Sequence, residues 1–251
     1  MLVDATDHLL AAELATGAGR ILLDLRQRLA EGDSPAEVKD AGDAASHLWL
    51  TGQLAQRRPN DAVLSEEAAA DPDRVNAERL WIIDPLDGTR EFGEAGRTDW
   101  AVHVALVVGG EAVAGAVALP GMDLTLHTAE PPVVPDNGGR APIVVVSRTR
   151  PPAAAQAVAD ALGGELLAMG SAGAKAMAVV RGEADVYVHT GGQYEWDSAA
   201  PVAVALAAGL HCSRVDGSPL QYGRESTWLP DLLIVRPELA EATLKAVAAY
   251  G

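Results

Sequence analysis

Residues 80–92, LWIIDPLDGTREF, constrain the fold of this chain most strongly, because an apolar run leads straight into two aspartates. The run predicts a strand buried on both faces. Pro85 bars a helix and removes a backbone donor, so the chain bends and turns Asp84 and Asp87 towards one point. Two carboxylates this close repel each other unless they are protonated or bridged by a cation, and hard oxygen ligands suit Mg²⁺ or Mn²⁺. Ordinary turn chemistry is the alternative, since Asp-Pro and Asp-Gly both favour turns.

Further residues favour the cation. Glu66 and Glu67 end a preceding strand, AVLSEE, while Asp197 opens a helix in EWDSAAPVAVAL, where a helix cap would also explain it. Gly88 lets the backbone approach an anion closely, and the amides that follow at Thr89 suit a phosphate. Carboxylates, two metal ions and a phosphate together form the scaffold of a metal-dependent phosphatase.

The N-terminal half predicts two helices followed by an antiparallel meander. Leucines and alanines recur every three or four positions from Asp7, a candidate cap, to Leu29, and a second helix follows Asp43. Gly109–Gly110 predicts a tight hairpin between two of the strands. The strands are expected at 62–66, 79–84, 100–108, 111–120 and 124–129.

The C-terminal half follows a Pro- and Gly-rich linker at 131–142 and alternates strands with helices, which predicts an α/β layer structure. Its strands are expected at 143–147, 165–169, 184–190 and 231–235, with helices after each, including one after WDSAAP. We therefore predict a mixed α/β (α+β) fold with an N-terminal α+β domain over residues 1–140 and a C-terminal α/β domain over 141–251.

Composition excludes several classes. The net charge of −16 disfavours a nucleic acid polymer as partner. No apolar run approaches the roughly 20 residues that span a bilayer, and the first residues lack the pattern of a signal peptide. Cys212, the single cysteine, has no partner for an internal disulfide and suits a small packed thiol. These features predict a soluble, cytoplasmic protein.

Three motifs in order, SEE at 65–67, WIIDPLDGT at 81–89 and EWDSAAP at 195–201, resemble those of the inositol monophosphatase superfamily. The resemblance implies a layered αβαβα sandwich and two or three Mg²⁺ ions, with Mn²⁺ as the alternative, and family members are often dimers. It also implies a set of metal ligands: Glu66, Asp84, the backbone carbonyl of Leu86, Asp87 and Asp197.

The resemblance further implies that Thr89 and Asp43 activate a water, with Glu67 as an additional acid. The family usually has a threonine shortly before the aspartate, whereas this chain reads KDAGDAAS. Asp43 is interpreted equally well as the N-cap of the helix that follows it.

The residues at the end of the opening stretch indicate which branch of the superfamily the chain resembles. DGTREF, MGSAGAKAMAVVRG and VVVSRTRP resemble the CysQ branch of the superfamily, and its actinobacterial members in particular. The resemblance implies a lithium-sensitive 3′(2′),5′-bisphosphate nucleotidase of sulfate assimilation, which converts adenosine 3′,5′-bisphosphate to AMP and phosphate. The sulfated relative of that nucleotide is a further candidate substrate. A broader phosphatase for inositol monophosphate or fructose 1,6-bisphosphate, and a non-catalytic binding regulator, are the alternatives.

A bisphosphorylated substrate calls for cations besides the metals. Arg90, Arg148, Arg150 and Lys175 are candidates, although Arg150 suits a solvated surface and Arg90 fits either role. Lys175 lies in an apolar helix, where an unpaired cation is costly. The residues expected to contact substrate are Glu66, Leu86, Asp87, Gly88, Thr89, Arg90, Ser147, Ser171, Lys175 and Asp197. His103 is interpreted as a core or supporting histidine, while Tyr194 and Trp196 fit either base contact or packing.

Overall fold

Two five-stranded sheets and the helices that cover them form the computed structural model of the protein, which describes residues 3–250. Their layering confirms the predicted αβαβα sandwich. Met1, Leu2 and Gly251, at the outer ends of the two predicted domains, lie outside the described residues. Within those residues, no helix is long and apolar enough to cross a bilayer.

The first helices begin earlier than the periodicity predicts. Helix α1 spans Ala5–Arg26 and is capped by Asp4 rather than Asp7. A single turn, α2 (Arg28–Glu31), precedes α3 (Pro35–Arg57). Ser34 and Glu37 form a capping box and a proline takes the first position, so α3 begins there. Asp43 therefore lies inside α3, and its interpretation as an N-cap is wrong.

The first sheet has the order β1-β2-β3-β4-β5, with β1 and β2 parallel and the other neighbours antiparallel. Gly109 and Gly110 adopt φ of 61° and 85°, which confirms the predicted hairpin. A register shift against β3 between Asp84 and Asp87 produces the predicted bend. The strands are β1 (Ala62–Ser65), β2 (Arg79–Asp87), β3 (Ala101–Val108), β4 (Glu111–Leu119) and β5 (Leu124–His127), and the short helix α4 spans Thr89–Phe92.

The second sheet has the order β10-β12-β8-β6-β7, and β9 and β11 pair separately. Helix α7 begins at Glu195, so the motif containing Asp197 forms its first turn rather than preceding it. The elements are β6 (Ile143–Ser147), α5 (Ala153–Leu162), β7 (Glu165–Met169), α6 (Ala172–Val180), β8 (Val186–His189), β9 (Gln193–Tyr194), α7 (Glu195–Ala207), β10 (His211–Ser213), β11 (Trp228–Leu229), β12 (Leu232–Val235) and α8 (Pro237–Tyr250). The sequence did not predict the short strands β9, β10 and β11.

Three apolar cores hold the layers together. Helices α1 and α3 pack on the outer face of the first sheet, α6 and α7 lie between the sheets, and α5 and α8 cover the second sheet. Strand β2 contributes to two cores, because Leu80 and Ile82 face the middle layer while Trp81 and Ile83 face α1 and α3. Burial on both faces explains its unbroken apolar run. It also means that Asp84 begins the polar end of a strand that lies deep inside the molecule.

Candidate active site

Three aspartates from two elements meet where β2 ends. Asp84 and Asp87 flank the bend of β2, and Asp197 lies in the first turn of α7. One carboxylate oxygen of each lies within 4.8 Å of the others. We call these three residues the acidic cluster. Its position confirms that the bend directs both strand aspartates to one point.

The carboxylates of the acidic cluster differ in their electrostatics. Burial, followed by the charges of Glu66 and Asp87, raises the pKa of Asp84 well above its usual value. Burial and then the charge of Asp87 raise the pKa of Asp197 to about 6, although the Tyr194 amide donates to its Oδ2 over 2.7 Å. That amide precedes Asp197, so the predicted cap towards the following amides is wrong.

Asp87 is instead compensated by protein groups. The Ser171 hydroxyl and the Gly173 amide donate to its Oδ2, the amide over 2.6 Å, and His103 Nε2 lies 3.2 Å from the same oxygen. Burial opposes ionisation of Asp87, but His103 and Lys175 more than offset it, so the pKa lies below its usual value. A Cβ at residue 173 would lie 2.0 Å from His103 Nε2, so only glycine leaves room for this histidine.

His103 is fully buried and its other ring nitrogen, Nδ1, lies 2.9 Å from the Trp196 carbonyl oxygen. Burial lowers its pKa, but Asp87 more than reverses that effect, and the net pKa is raised. The structure thus agrees with the interpretation of His103 as a supporting residue behind the acidic cluster.

Glu66, Glu67 and Asp43 lie beside the acidic cluster rather than in it. Glu66 is close enough to Asp84 to hydrogen-bond, and burial followed by the charge of Asp197 raises its pKa to about 7 although the residue reaches solvent. Burial and then the charge of Glu67 raise the pKa of Asp43 to about 7. Asp43, the predicted water-activating aspartate, therefore lies midway along α3 and close to Glu67.

Thr89 and Leu86 contact each other directly. The Thr89 hydroxyl donates to the Leu86 carbonyl oxygen over 3.1 Å. Gly88 joins them with φ of 84°, a conformation that favours glycine. A supporting contact not predicted from the sequence comes from Ser46, whose hydroxyl donates to the Pro85 carbonyl over 2.7 Å and so fixes α3 to the bend.

A cavity of about 590 Å³ opens next to the acidic cluster. Predicted site residues that line it are Asp87, Gly88, Thr89, Arg90, Ser147, Ser171, Lys175 and Asp197; those that do not are Asp43, Glu66, Glu67, Asp84 and Leu86. Tyr187, His189 and Trp228 also line it but were not predicted, because nothing in their local sequence indicates which face of β8 or β11 each side chain occupies. A separate cavity of about 400 Å³ beside Arg74 contains no residue of the acidic cluster.

The arginines near the cavity fall into two groups. Arg148 binds Glu91 and Glu94, each over 2.5 Å, so its charge is already neutralised. Arg90 and Arg150 are exposed at the cavity and form no ion pair within residues 3–250. The free cations are thus Arg90 and Arg150, although the sequence favoured a merely solvated role for Arg150.

Lys175 is only 6% exposed and its Nζ donates to the Ser171 carbonyl oxygen over 2.5 Å. Burial lowers its pKa, and the negative charges of Asp87 and Asp197 oppose that effect. The anionic partners expected for this buried cation are thus supplied in part by the acidic cluster. The Ser171 hydroxyl, predicted to bind substrate, is occupied by Asp87 and also accepts from the Ala174 amide over 2.9 Å.

The chain is similar to known proteins in sequence and in fold. Residues 6–133 and 136–251 match the inositol monophosphatase family. The chain is 48% identical, over 97% of its length and 94% of the relative, to the 3′-phosphoadenosine 5′-phosphate phosphatase of Mycobacterium leprae (strain TN). It is 31% identical, over 86% of its length and 94% of the relative, to the 3′(2′),5′-bisphosphate nucleotidase CysQ of Escherichia coli (strain K12). The crystal structure of CysQ from Bacteroides thetaiotaomicron has the same fold, with a TM-score of 0.78 at 24% identity over 94% of this chain and 99% of that one.

Proposed function

We propose that this chain, which belongs to the inositol monophosphatase family, is a metal-dependent phosphatase that removes the 3′-phosphate of adenosine 3′,5′-bisphosphate. The observation that carries the proposal is the acidic cluster beside a cavity that also presents Arg90 and Arg150, which form no ion pair among the described residues. The names of the Mycobacterium leprae and Escherichia coli relatives support the substrate class. The sulfated relative of the nucleotide is proposed as a second substrate.

The residues of the acidic cluster fit a divalent metal. Asp84 is buried, and burial followed by the charges of Glu66 and Asp87 raises its pKa, so a cation beside it would be favourable. Carboxylate oxygens, together with a backbone carbonyl, are the ligands that Mg²⁺ prefers. We propose that Glu66, Asp84, the Leu86 carbonyl, Asp87 and Asp197 hold two or three Mg²⁺ ions, for which Mn²⁺ can substitute. When bound, these ions offset charge on the reacting phosphate and lower the pKa of a nearby water.

The remaining chemistry belongs to groups of this chain. Thr89 Oγ1 and the Asp43 carboxylate are proposed to orient the attacking water by hydrogen bonds, with Glu67 as an adjacent acceptor. Because the pKa of Asp43 is raised to about 7, its carboxylate can accept a proton near neutral pH. Gly88 keeps this turn close to α6, since a Cβ there would lie 3.0 Å from the Ser171 Cβ.

The second phosphate of the substrate requires its own cations. Arg90 and Arg150 are proposed to bind it, because both line the cavity and neither is neutralised by a carboxylate within the described residues. Ser147 lies beside them at the end of β6, and its Oγ accepts from the Arg150 amide over 3.2 Å. Lys175 contributes positive charge from the cavity floor without leaving its buried site.

A phosphate-release panel tests the proposal. The panel compares kcat/KM for adenosine 3′,5′-bisphosphate, its sulfated relative, inositol 1-phosphate and fructose 1,6-bisphosphate in Mg²⁺, with EDTA and with Li⁺. We expect the adenosine bisphosphate to give the highest value, EDTA to abolish release, and Li⁺ to inhibit as the family resemblance implies. Near-equal values across the panel would refute a dedicated nucleotide phosphatase, and tight nucleotide binding without any release would refute an enzyme.

The variant Arg150→Ala tests the assignment of the second phosphate. It should raise KM for the bisphosphate more than KM for adenosine 3′-phosphate, which lacks the 5′-phosphate. Arg20→Ala, which removes a distant exposed arginine on α1, is the matched control. Equal effects of Arg150→Ala on the two substrates would contradict its proposed role.

A further inference from the structure

An aromatic cluster of Tyr194, Trp196 and Trp228 borders the cavity. Tyr194 stacks on Trp196 with ring centroids 4.8 Å apart and 12° between the planes. Trp228 meets Tyr194 edge to face, with centroids 5.2 Å apart and 80° between the planes. We call these three residues the aromatic wall. The whole chain has five Trp, four Tyr and one Phe, so their grouping at one place is not a consequence of abundant aromatic residues.

Two members of the aromatic wall keep much of their surface in water. Tyr194 is 43% and Trp228 is 48% exposed, whereas Trp81 and Trp100 are fully buried. Both exposed rings line the same cavity as Asp197 and Thr89. Large exposed apolar groups that gather at a cavity mark a binding surface more often than a packing role.

The backbone fixes the rings in place before any ligand binds. Trp228 pairs directly with Tyr194 across the β9–β11 ladder. Gly192 adopts φ of 77°, and a Cβ there would lie 1.9 Å from the Trp228 ring, so glycine is required for the indole to lie against this turn. Such preorganisation lowers the entropy cost of binding a flat group.

The aromatic wall is also tied to the acidic cluster. The Tyr194 amide donates to Asp197 Oδ2 over 2.7 Å, and the Trp196 carbonyl oxygen lies 2.9 Å from His103 Nδ1. A ligand that contacts both the aromatic wall and the acidic cluster therefore meets two surfaces held at a fixed separation. This arrangement suits a substrate with a flat ring at one end and a phosphate ester at the other.

We infer that the aromatic wall, with Trp228 as its principal ring, binds the base of the nucleotide substrate by stacking. This inference deepens the proposed function and depends on it. A base offers a flat π face to an indole or phenol ring, and such stacking contributes to binding whichever base is present. Inositol and sugar phosphates offer no such face, so the aromatic wall would favour nucleotides over the other phosphate esters of the panel.

The test compares a nucleotide with a base-free analogue. Wild type, Trp228→Ala and Trp228→Phe are assayed in Mg²⁺ with adenosine 3′,5′-bisphosphate and with 1-deoxyribose 3,5-bisphosphate, which has both phosphates but no base. The ratio compared is kcat/KM for the nucleotide divided by kcat/KM for the base-free analogue. We expect Trp228→Ala to reduce this ratio about 10- to 100-fold, mainly by raising KM for the nucleotide. Trp228→Phe should restore most of the ratio because it keeps a stacking ring.

The matched control is Tyr250→Ala, which removes an aromatic residue that is 55% exposed and does not line the cavity. It should leave the ratio at the wild-type value. Equal losses with both substrates would show that Trp228 only supports the fold, and wild-type kcat/KM values for both substrates would show that its ring does not touch the base. Either result overturns the inference while the wild-type enzyme remains a nucleotide phosphatase. A wild-type protein that releases no phosphate from the nucleotide refutes the proposed function itself, and the inference with it.

Discussion

Replacement of Asp197 by asparagine should stabilise the metal-free protein, although it should harm activity. The carboxylate lies next to Asp87 and Asp84, and burial and then the charge of Asp87 raise its pKa from 3.8 to about 6. An asparagine has the same shape, carries no charge, and can still accept from the Tyr194 amide that lies 2.7 Å from Oδ2. The substitution therefore removes the repulsion and keeps the contact that positions the side chain.

The size of the effect follows from linkage. A folded-state pKa above the unfolded value means that the folded protein holds the proton more tightly, so the proton's contribution is present below pH 3.8 and lost as the pH rises through about 6. At about 1.4 kcal/mol per pKa unit, ionised Asp197 destabilises the folded state by about 3 kcal/mol at pH 8 and by about half of that at pH 5. Asp197→Asn should recover these amounts, or roughly 1 M in the urea midpoint at pH 8.

Urea unfolding in EDTA at pH 8 and pH 5 tests the prediction. The matched control is Asp24→Asn, which removes one charge from the exposed face of α1. We expect Asp197→Asn to be more stable than wild type at pH 8 and the difference to shrink at pH 5. Excess Mg²⁺ should reverse the order, since a ligand that binds only the folded state stabilises wild type more. A variant less stable than wild type at pH 8 in EDTA would refute the reasoning.

Asp84→Asn should lower phosphate release more than about 100-fold at saturating Mg²⁺, and wild-type turnover would exclude it as a ligand. Gly173→Ala places a Cβ 2.0 Å from His103 Nε2 and should cost about 1–3 kcal/mol in urea unfolding. Its control, Gly52→Ala, meets nothing within 4 Å inside α3 and should instead gain up to about 1 kcal/mol; equal stabilities would contradict the packing of His103. Burial opposes ionisation of Asp7, but two arginines lower its pKa to about 2, so Asp7→Asn should cost about 2 kcal/mol at pH 7. That loss should shrink as the pH falls from about 4 towards 2, and a constant loss would show that charge is not its cause.

The sequence predicts the layers and most strands because burial leaves a periodic trace. Helix starts leave a weaker trace, because several polar residues near a start can each serve as the cap. Ser34 and Glu37 begin α3 well before Asp43, for which a cap and a catalytic role are equally good interpretations of the sequence. The same holds for Asp197, because Tyr194 precedes the helix and the aspartate lies in its first turn. In both cases a side chain that a cap would explain lies instead among the carboxylates of the site.

The cations show what one-dimensional sequence cannot resolve. Arg148 and Arg150 are two positions apart, and only the fold shows that Glu91 neutralises the first while the second stays free at the cavity. Glu91 belongs to the DGTREF stretch, which resembles the CysQ branch of the superfamily. Its carboxyl group reaches Arg148 past Gly170, where a Cβ would lie 2.2 Å from Cδ of Glu91. The branch motif thus acts by linking α4 to the end of β6.

Asp84 and Asp87 look equivalent in the sequence, but the protein treats them in opposite ways. Asp87 accepts two backbone amides and a hydroxyl and lies beside His103, so its negative charge is stabilised before a metal arrives. The Leu86 amide donates to Asp84 Oδ1 over 3.1 Å, but burial and the charges of Glu66 and Asp87 raise the pKa of Asp84. A metal ion held by the acidic cluster would therefore compensate the charge of Asp84 more than that of Asp87, which protein groups already stabilise. Metal affinity should fall as the pH drops, because protons compete with the metal at Asp84, Asp197 and Glu66, whose pKa values are raised, rather than at Asp87.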